Sequence, residues 1–254
     1  MAAPSSRSPS RPPASSDDAP RSRRLRASIA AGPSVATQEL FGRDAIASIA
    51  RALPPFERAY ANIRFSILRP KLLSVMDLLL VDEGRILDVG CGFGLFAAYF
   101  GLTHRNRHIT GLDPNPKRID LARRVADKLS LMQHHFMAAD VRDASLKGPF
   151  DAIYVLDVMH HIPADHQRSV LERMHGLLAP GGMLLIKDIT TEPHYQLVFT
   201  EMLDRLMIPK GEELAYRHHQ AWGELLSDVG FKVRIVRVPD VLPYPHVVIA
   251  ATKR

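Results

Sequence analysis

The stretch that decides the fold is Arg85-Ile86-Leu87-Asp88-Val89-Gly90-Cys91-Gly92-Phe93-Gly94. Its first half predicts a buried strand, and its glycines predict a tight turn that opens a helix over 95–100. Glycine lets the backbone turn sharply and lets a ligand approach closely, because no Cβ is in the way. Asp88 lies at the carboxyl end of the strand, where open α/β sheets bind their ligands. The stretch therefore predicts a ligand site on a parallel sheet.

The spacing of the glycines differs from that of a dinucleotide-binding turn and from that of a phosphate loop. A dinucleotide fingerprint, G-x-G-x-x-G, needs a glycine where this chain has Leu95. No Gly-Lys-Ser/Thr follows, so the turn is not a phosphate loop. Asp88 would repel a pyrophosphate and attract a cationic ligand. An NAD-dependent oxidoreductase is therefore disfavoured, although the glycine turn alone leaves it open.

Acidic residues also end the strands predicted after this turn. Asp113 ends a strand over 108–113, close to the spacing of about 20 residues at which dinucleotide-binding proteins place a ribose-binding carboxylate. A carboxylate can accept hydrogen bonds from both ribose hydroxyls. Asp140 lies near the end of a strand over 135–141. A further apolar run, 150–156, leads to Asp157 and to the pair His160-His161.

Together these motifs resemble the class I S-adenosylmethionine-dependent methyltransferases. The resemblance rests on D-x-G-x-G-x-G, the acidic strand ends and Pro180-Gly181-Gly182 before the strand that ends at Asp188. It covers about 85–188, is weaker over 227–254 and is absent from the first fifty residues. It implies an α/β Rossmann-like fold with a seven-stranded, mostly parallel, doubly wound sheet. The last strand, 246–252, is expected to be antiparallel and inserted beside strand 231–238.

The resemblance also implies the cofactor, S-adenosylmethionine, and the parts of it that each residue would hold. Asp88 and the glycine turn would hold the methionine part, Asp113 the ribose and Asp140 the adenine, whereas Asp157 would lie near the transferred methyl group. The predicted cofactor-binding residues are Asp88, Gly90, Cys91, Gly92, Phe93, Gly94, Asp113, Pro114, Asp140, Val141 and Asp157.

Two histidines are the predicted catalytic residues. His160 and His161 follow the fourth strand on the cleft side, where a histidine could remove a proton from the methyl acceptor. The alternative is transfer by positioning alone, because a sulfonium already activates its methyl group. His194, His218 and His219 are weaker candidates. No metal site is predicted, because adjacent histidines point in different directions and no zincin-like H-x-x-x-H with a carboxylate occurs.

Composition divides the chain of 254 residues into a tail and a folded part. Residues 1–34 are rich in Ser, Pro and Arg and are predicted to be disordered. The first thirty positions hold 6 of the 33 Lys and Arg residues against 2 of the 27 acidic ones, so the net charge of +6 comes mainly from the tail. The remainder is nearly neutral, and no nucleic-acid partner is expected.

The folded part is expected to contain additions to the core domain at 83–254. Helical periodicity over 35–82 predicts helices that cover the cofactor cleft, with Tyr60 and Arg64 as candidate pocket residues. An insertion at about 190–216, with an amphipathic helix over 196–208, predicts a substrate lid. Cys91, the only cysteine, is expected to pack rather than to act as a nucleophile. No run reaches the about 20 apolar residues of a membrane span, and a cytoplasmic location is expected.

The acceptor is less well defined by the sequence than the cofactor. The N/D-P-P-Y/F motif of many amino-group methyltransferases is absent. With the neutral folded part and the apolar insertion, this favours a small aromatic or lipid-like acceptor that is methylated on oxygen or carbon. Weak contact with a membrane or lipid substrate and any oligomeric state stay open. The alternative is a methyltransferase-fold partner protein without catalysis.

Overall fold

The structure is a computed structural model that describes residues 38–192, 194, 197–198, 214–236 and 245–254. Its strands are β1 (Gly84–Val89), β2 (Arg107–Asp113), β3 (His135–Ala138), β4 (Phe150–Leu156), β5 (Leu178–Ile189), β6 (Phe231–Val236) and β7 (His246–Lys253). In this part of the chain the seven strands form one sheet, in the order β3-β2-β1-β4-β5-β7-β6.

The pairing of the strands confirms the predicted fold. Strands β1 to β5 pair in parallel, whereas β7 runs antiparallel to both β5 and β6, between which it lies. Apart from the exposed Asp151, strand β4 is buried on both faces, as its otherwise apolar sequence requires. The carboxyl ends of β1 to β5 meet at one edge of the sheet, where α/β proteins bind ligands.

Helices cover both faces of this sheet. They are α1 (Gly42–Ala52), α2 (Pro55–Leu68), α3 (Pro70–Asp77), α4 (Leu95–Thr103), α5 (Pro116–Lys128), α6 (Ala164–Leu177) and α7 (His219–Val229). Every residue of α4 is buried. Phe65 of α2 packs edge-on against Phe96 of α4, with ring centroids 5.9 Å apart. The helices before β1 therefore cover the first helix after the glycine turn.

Three local details differ from the sequence predictions. The sequence predicts a helix over 167–178 with Asp165 as its N-cap. Helix α6 instead begins at Ala164, with Pro163 as N-cap and no side-chain cap hydrogen bond, so this prediction of the cap is wrong. Asp165 lies instead in the first turn, where a negative charge is favourable near the helix N-terminus. Strand β3 ends at Ala138, and β5 begins already at Leu178. The pairing of β4 with β5 shifts between Phe150 and Ala152, because the chain bulges at Pro180-Gly181-Gly182.

Two predicted segments lie outside the residues that the structure describes. The tail, 1–34, is not among the described residues, and of the predicted lid helix, 196–208, only Leu197 and Val198 are. Within the described ranges, no helix combines the length and the apolar character needed to cross a membrane.

Candidate functional site

In the glycine turn after β1, an added side chain would be crowded at two of the glycines but not at the third. Gly90, Gly92 and Gly94 all have positive φ angles, of 76°, 56° and 79°. A Cβ added at Gly90 would lie 2.3 Å from Cγ2 of Val158, and one at Gly94 would lie 3.1 Å from Cβ of Ala122. A Cβ at Gly92 would have no neighbour within 4 Å among the described residues. A ligand could therefore approach the backbone of the turn at Gly92.

The predicted ribose carboxylate, Asp113, holds this turn. Its Oδ2 accepts a hydrogen bond from the Gly92 amide at 3.0 Å, and its Oδ1 accepts one from the Asn115 amide at 2.9 Å. The residue is 4% exposed. Because each carboxylate oxygen has two lone pairs, Asp113 retains the capacity to accept further hydrogen bonds.

Asp88 is a buried carboxylate with an unsatisfied oxygen. It is 2% exposed, and its Oδ2 has no hydrogen-bond partner among the described residues. Burial raises the pKa of Asp88 to about 8; the nearby hydroxyl of Tyr154, its neighbour on β4, opposes this, whereas the charge of Asp113 adds to it. A positively charged ligand near Asp88 would favour its ionised form.

The predicted adenine site lies just beyond β3. The Ala139 amide donates a hydrogen bond to the carbonyl of Asp113 at 3.1 Å, which places Asp140 next to the end of β2. The Asp140 carboxylate accepts hydrogen bonds from Nε and Nη2 of Arg142 at 3.0 and 2.7 Å, and this contact lowers the pKa of Asp140. Val141 is buried in the core between sheet and helices, and Pro114 is exposed.

Asp157, directly after β4, is held by two cations. Its Oδ2 accepts a hydrogen bond from Nη2 of Arg64 at 2.8 Å, and its Oδ1 accepts one from Nζ of Lys187. Burial acts to raise the pKa of Asp157, but Lys187 and Arg64 outweigh it and lower this pKa well below its ordinary value. Asp157 is therefore ionised at neutral pH.

His160 belongs to a second buried pair at this edge of the sheet. Its Nδ1 lies 2.5 Å from Oδ1 of Asp188, near the end of β5. The ring of His161 lies 4.2 Å from that of His160, and the ring of Tyr216 stacks at 5.2 Å on His160. Asp188 was missed by the sequence predictions. The signal was present, because Lys187 and Asp188 are charged residues near the end of a buried apolar strand.

Helix α2 extends over the glycine turn. The ring of Tyr60 lies 5.5 Å from that of Phe93 in the turn, and the guanidinium of Arg64 lies 5.9 Å from the ring centroid of Phe96. Both candidate pocket residues therefore face the elements that form the site.

Two further observations bear on the chemistry of the site. Cys91 is buried, and burial, with the charges of Asp88 and Asp113, raises the pKa of its thiol far above the ordinary value. Such a thiol is a poor nucleophile, as a packing role requires. Among the described residues, no three His, Cys, Asp or Glu side chains are grouped so that they could hold a metal ion.

Comparisons with known proteins agree with this geometry. A family model described as "Methyltransferase domain" matches residues 60–235. A "Ubiquinone biosynthesis O-methyltransferase" of Aeromonas salmonicida is 29% identical over 130 residues, which are 50% of this chain and 53% of that protein. An "O-methyltransferase rstn1" of Aspergillus nomiae is 30% identical over 156 residues, 59% of this chain and 64% of that protein. The chain thus spans little more than half the length of these relatives.

A solved structure shows the same fold. A S-adenosylmethionine-dependent methyltransferase of Thermotoga maritima, described as a possible histamine N-methyltransferase, superposes with a TM-score of 0.62 at 20% identity. The match covers 82% of this chain and 99% of that one. The fold is that of the class I S-adenosylmethionine-dependent methyltransferases. The chain belongs to the methyltransferase domain family, whose model matches most of its length.

Family and fold confirm the predicted cofactor, S-adenosylmethionine, and the described residues fit it. The unsatisfied carboxylate oxygen of Asp88 suits a cationic cofactor, and the open side of Gly92 leaves room for close approach to the backbone. Asp113 has acceptor capacity for a ribose, and Asp140 is an ionised acceptor beside it. Asp88, Gly92, Asp113 and Asp140 therefore offer groups whose chemistry suits parts of this cofactor.

Proposed function

We propose that this protein transfers a methyl group from S-adenosylmethionine to a hydroxyl group of a small molecule. The observation that carries the proposal is the buried His160–Asp188 pair, which joins the segment after β4 to the end of β5. Two relatives, which this chain matches over about half of their length, have names that specify O-methyltransferases. These names favour oxygen over carbon as the methylated atom.

The cofactor-binding roles are part of this proposal. Asp88 and the turn from Gly90 to Gly94 hold the methionine part, Asp113 holds the ribose and Asp140 the adenine amino group. Val141 is buried next to Asp140, and in this proposal its side chain packs against the adenine. When bound, the cofactor supplies a methyl group on a sulfonium whose sulfur leaves as a neutral thioether.

The chemistry of the chain is then the removal of one proton. The Asp188 carboxylate holds Nδ1–H of His160, which makes Nε2 the basic ring atom. The acceptor hydroxyl gives its proton to Nε2 while its oxygen forms the new bond to carbon. Asp188 stabilises the imidazolium that results. A positioned base of this kind contributes about 10²- to 10⁴-fold to the rate.

Exposed apolar residues at the rim of the cleft support the proposal that the acceptor is aromatic or lipid-like. Phe56, Tyr60 and Ile63 lie on one stripe of α2 and are 81%, 38% and 54% exposed. The stripe is continuous with the site, because Tyr60 also contacts Phe93 in the glycine turn. Its large apolar side chains suit the apolar body of an acceptor whose hydroxyl reaches the cleft.

The proposed compartment is the cytoplasm. Its support is that Cys91 is the only cysteine in the sequence, so the chain contains no intrachain disulfide, as is usual in reducing compartments.

Two measurements test the proposed function. In a thermal-shift panel, S-adenosylmethionine and S-adenosylhomocysteine should stabilise the full chain, whereas NAD should not. Radiolabelled methyl transfer to a panel of phenols and hydroxylated lipids should then give a labelled ether. Stabilisation by the cofactor without transfer to any acceptor in a metabolite extract would favour the non-catalytic alternative. No shift with either sulfur ligand would overturn the proposal.

A further inference from the structure

The contact with Asp188 fixes only part of the orientation of His160. It holds Nδ1 of the imidazole and thereby the tautomer. It does not fix the plane of the ring, because the outer side-chain torsion of a histidine has broad energy wells. A base must present its nitrogen to the acceptor hydroxyl at a set distance and angle. His160 therefore needs a second contact if it is to act as the base.

The ring of Tyr216 supplies a contact on the face of this imidazole. The ring centroids of Tyr216 and His160 are 5.2 Å apart, and the two ring planes are inclined by only 21°. Such stacking restricts tilting of the imidazole. The lone pair of Nε2 lies in the ring plane, so a neighbour on the ring face does not itself block proton transfer to this atom.

Gln167, on α6, holds the turn that carries His160. Its side chain is fully buried, and its Nε2 donates hydrogen bonds to the carbonyl oxygens of Met159 and Ile162, at 3.2 Å each. The first carbonyl begins the 3₁₀ helix Met159–His161, and the second follows it directly. Because so short a helix has few hydrogen bonds of its own, Gln167 fixes both of its ends.

The same glutamine holds the segment that carries Tyr216. Nε2 of Gln167 also donates to the carbonyl of Ala215 at 3.1 Å, and Oε1 accepts a hydrogen bond from Nε of Arg217 at 3.0 Å. The Ala215 amide donates in turn to the carbonyl of His160 at 2.8 Å. Tyr216 is thus held on both sides by neighbours that are bonded to one buried amide.

We propose that Tyr216 is a positioning residue for His160, and that Gln167 holds the two rings against each other. Tyr216 exchanges no proton in this step. It keeps Nε2 of His160 directed at the acceptor hydroxyl while the proton moves, so it acts on kcat and not on the affinity for the cofactor. The inference rests on the proposed function, because it takes His160 as the base.

Two variants of Tyr216 test the role of its ring. Tyr216→Leu should lower kcat by about tenfold or more with any acceptor that the transfer panel gives, because a displaced catalytic group is costly. Calorimetry should show nearly unchanged affinity for S-adenosylhomocysteine. Tyr216→Phe, which retains the ring, should restore most of the lost rate. An equally large loss in Tyr216→Phe would overturn the inference, since the hydroxyl and not the ring would then be responsible.

Two variants of Gln167 test the amide. Gln167→Met keeps the length of the side chain without its hydrogen bonds, and Gln167→Glu keeps an acceptor for Arg217 without the donors. Both should lower kcat. The matched control is Gln133→Met, since Gln133 also donates to a backbone carbonyl, that of Arg105, but at the opposite edge of the sheet. A lower melting temperature with normal kcat in Gln167→Met, as expected for the control, would show a merely structural role and overturn the assignment of Gln167.

Nuclear magnetic resonance of the full chain with isotope-labelled histidine gives a readout that needs no acceptor. The imidazole signals of His160 are those that disappear in His160→Gln. In the unmodified protein they should report one tautomer, with the proton on Nδ1, whereas in Tyr216→Leu they should broaden or average between ring orientations. Unchanged His160 signals in Tyr216→Leu would overturn the inference.

A double variant shows whether Tyr216 acts through His160. In the His160→Gln background, Tyr216→Leu should cause little further loss of rate, because residues that act as one unit are not additive. A full further loss would overturn the inference, since Tyr216 would then act on the acceptor directly. Absence of any methyl transfer by the unmodified protein, with the expected change in the His160 signals, would count against the proposed function and support the positioning contact.

Discussion

The carboxylate of Asp113, at the end of β2, accepts a 3.0 Å hydrogen bond from the backbone amide of Gly92, in the turn after β1. One residue predicted to bind a ribose thus also shapes the loop that would hold the rest of the cofactor. The two roles are compatible because one carboxylate can accept several hydrogen bonds. Loss of the carboxylate should consequently affect binding in two ways.

Asp113→Ala should weaken the binding of S-adenosylmethionine by at least about tenfold, because it removes charge-assisted hydrogen bonds to the ligand and to the turn. Asp113→Asn, which keeps one carbonyl oxygen, should give an intermediate affinity. Calorimetry measures both. Unchanged affinity in the alanine variant would show that Asp113 is not part of the binding site.

Alanine substitutions at Gly90 and Gly92 should separate stability from binding. Both residues have positive φ, so each variant should lose about 1–2 kcal/mol from the backbone alone. Gly90→Ala should lose about 1–3 kcal/mol more, because the new Cβ would meet Val158 at 2.3 Å. The new Cβ of Gly92→Ala meets no atom of the described residues, and this variant should instead lose affinity for the cofactor. Urea unfolding and calorimetry of both variants check this, and an equal loss of stability at the two positions would contradict it.

Asp88 should make the unligated protein less stable as the pH rises from about 4 to 8. In the unfolded chain Asp88 loses its proton near its ordinary pKa of 3.8, whereas the folded protein retains this proton up to a pKa of about 8. The unfolded state therefore binds fewer protons in this window, and the free energy of unfolding falls as the pH rises. Each unit of pKa difference corresponds to about 1.4 kcal/mol.

Asp88→Asn removes this titration. The variant should gain stability relative to the unmodified protein, and the gain should be larger at pH 8 than at pH 5 while binding of S-adenosylmethionine weakens. Urea unfolding at both pH values measures the difference. A gain of equal size at the two pH values would show that Asp88 does not keep its proton in the folded state.

His160→Gln should lower kcat by about 10²- to 10⁴-fold once an acceptor is known, because it removes the proposed base. Asp188→Asn should also lower kcat, since it would favour the wrong ring tautomer of His160. Both variants should bind S-adenosylhomocysteine with nearly unchanged affinity. His166→Gln, an exposed position on α6, serves as the control. A nearly normal kcat in His160→Gln would favour methyl transfer by positioning alone.

Much of the fold was predictable because its signals are local. The turn after β1, the acidic end of β2 and the antiparallel insertion of β7 follow from short motifs and from the family that they resemble. The boundaries were less predictable. Helix α6 begins three residues before the predicted start at 167, because its first turn tolerates polar residues without a side-chain cap. Strand β5 begins at Leu178 because a bulge allows Pro180-Gly181-Gly182 to remain within the sheet.

The sequence by itself determined the family, the cofactor and the residues that line the glycine turn, since these depend on neighbours along the chain. Only the tertiary structure decided which charges meet in the cleft. Arg64 and Asp157 are 93 positions apart, and His160 and Asp188 are 28 apart. Their contacts depend on the order of β4 and β5 in the sheet and on the placement of α2, which arise from packing of the whole core and leave no local pattern.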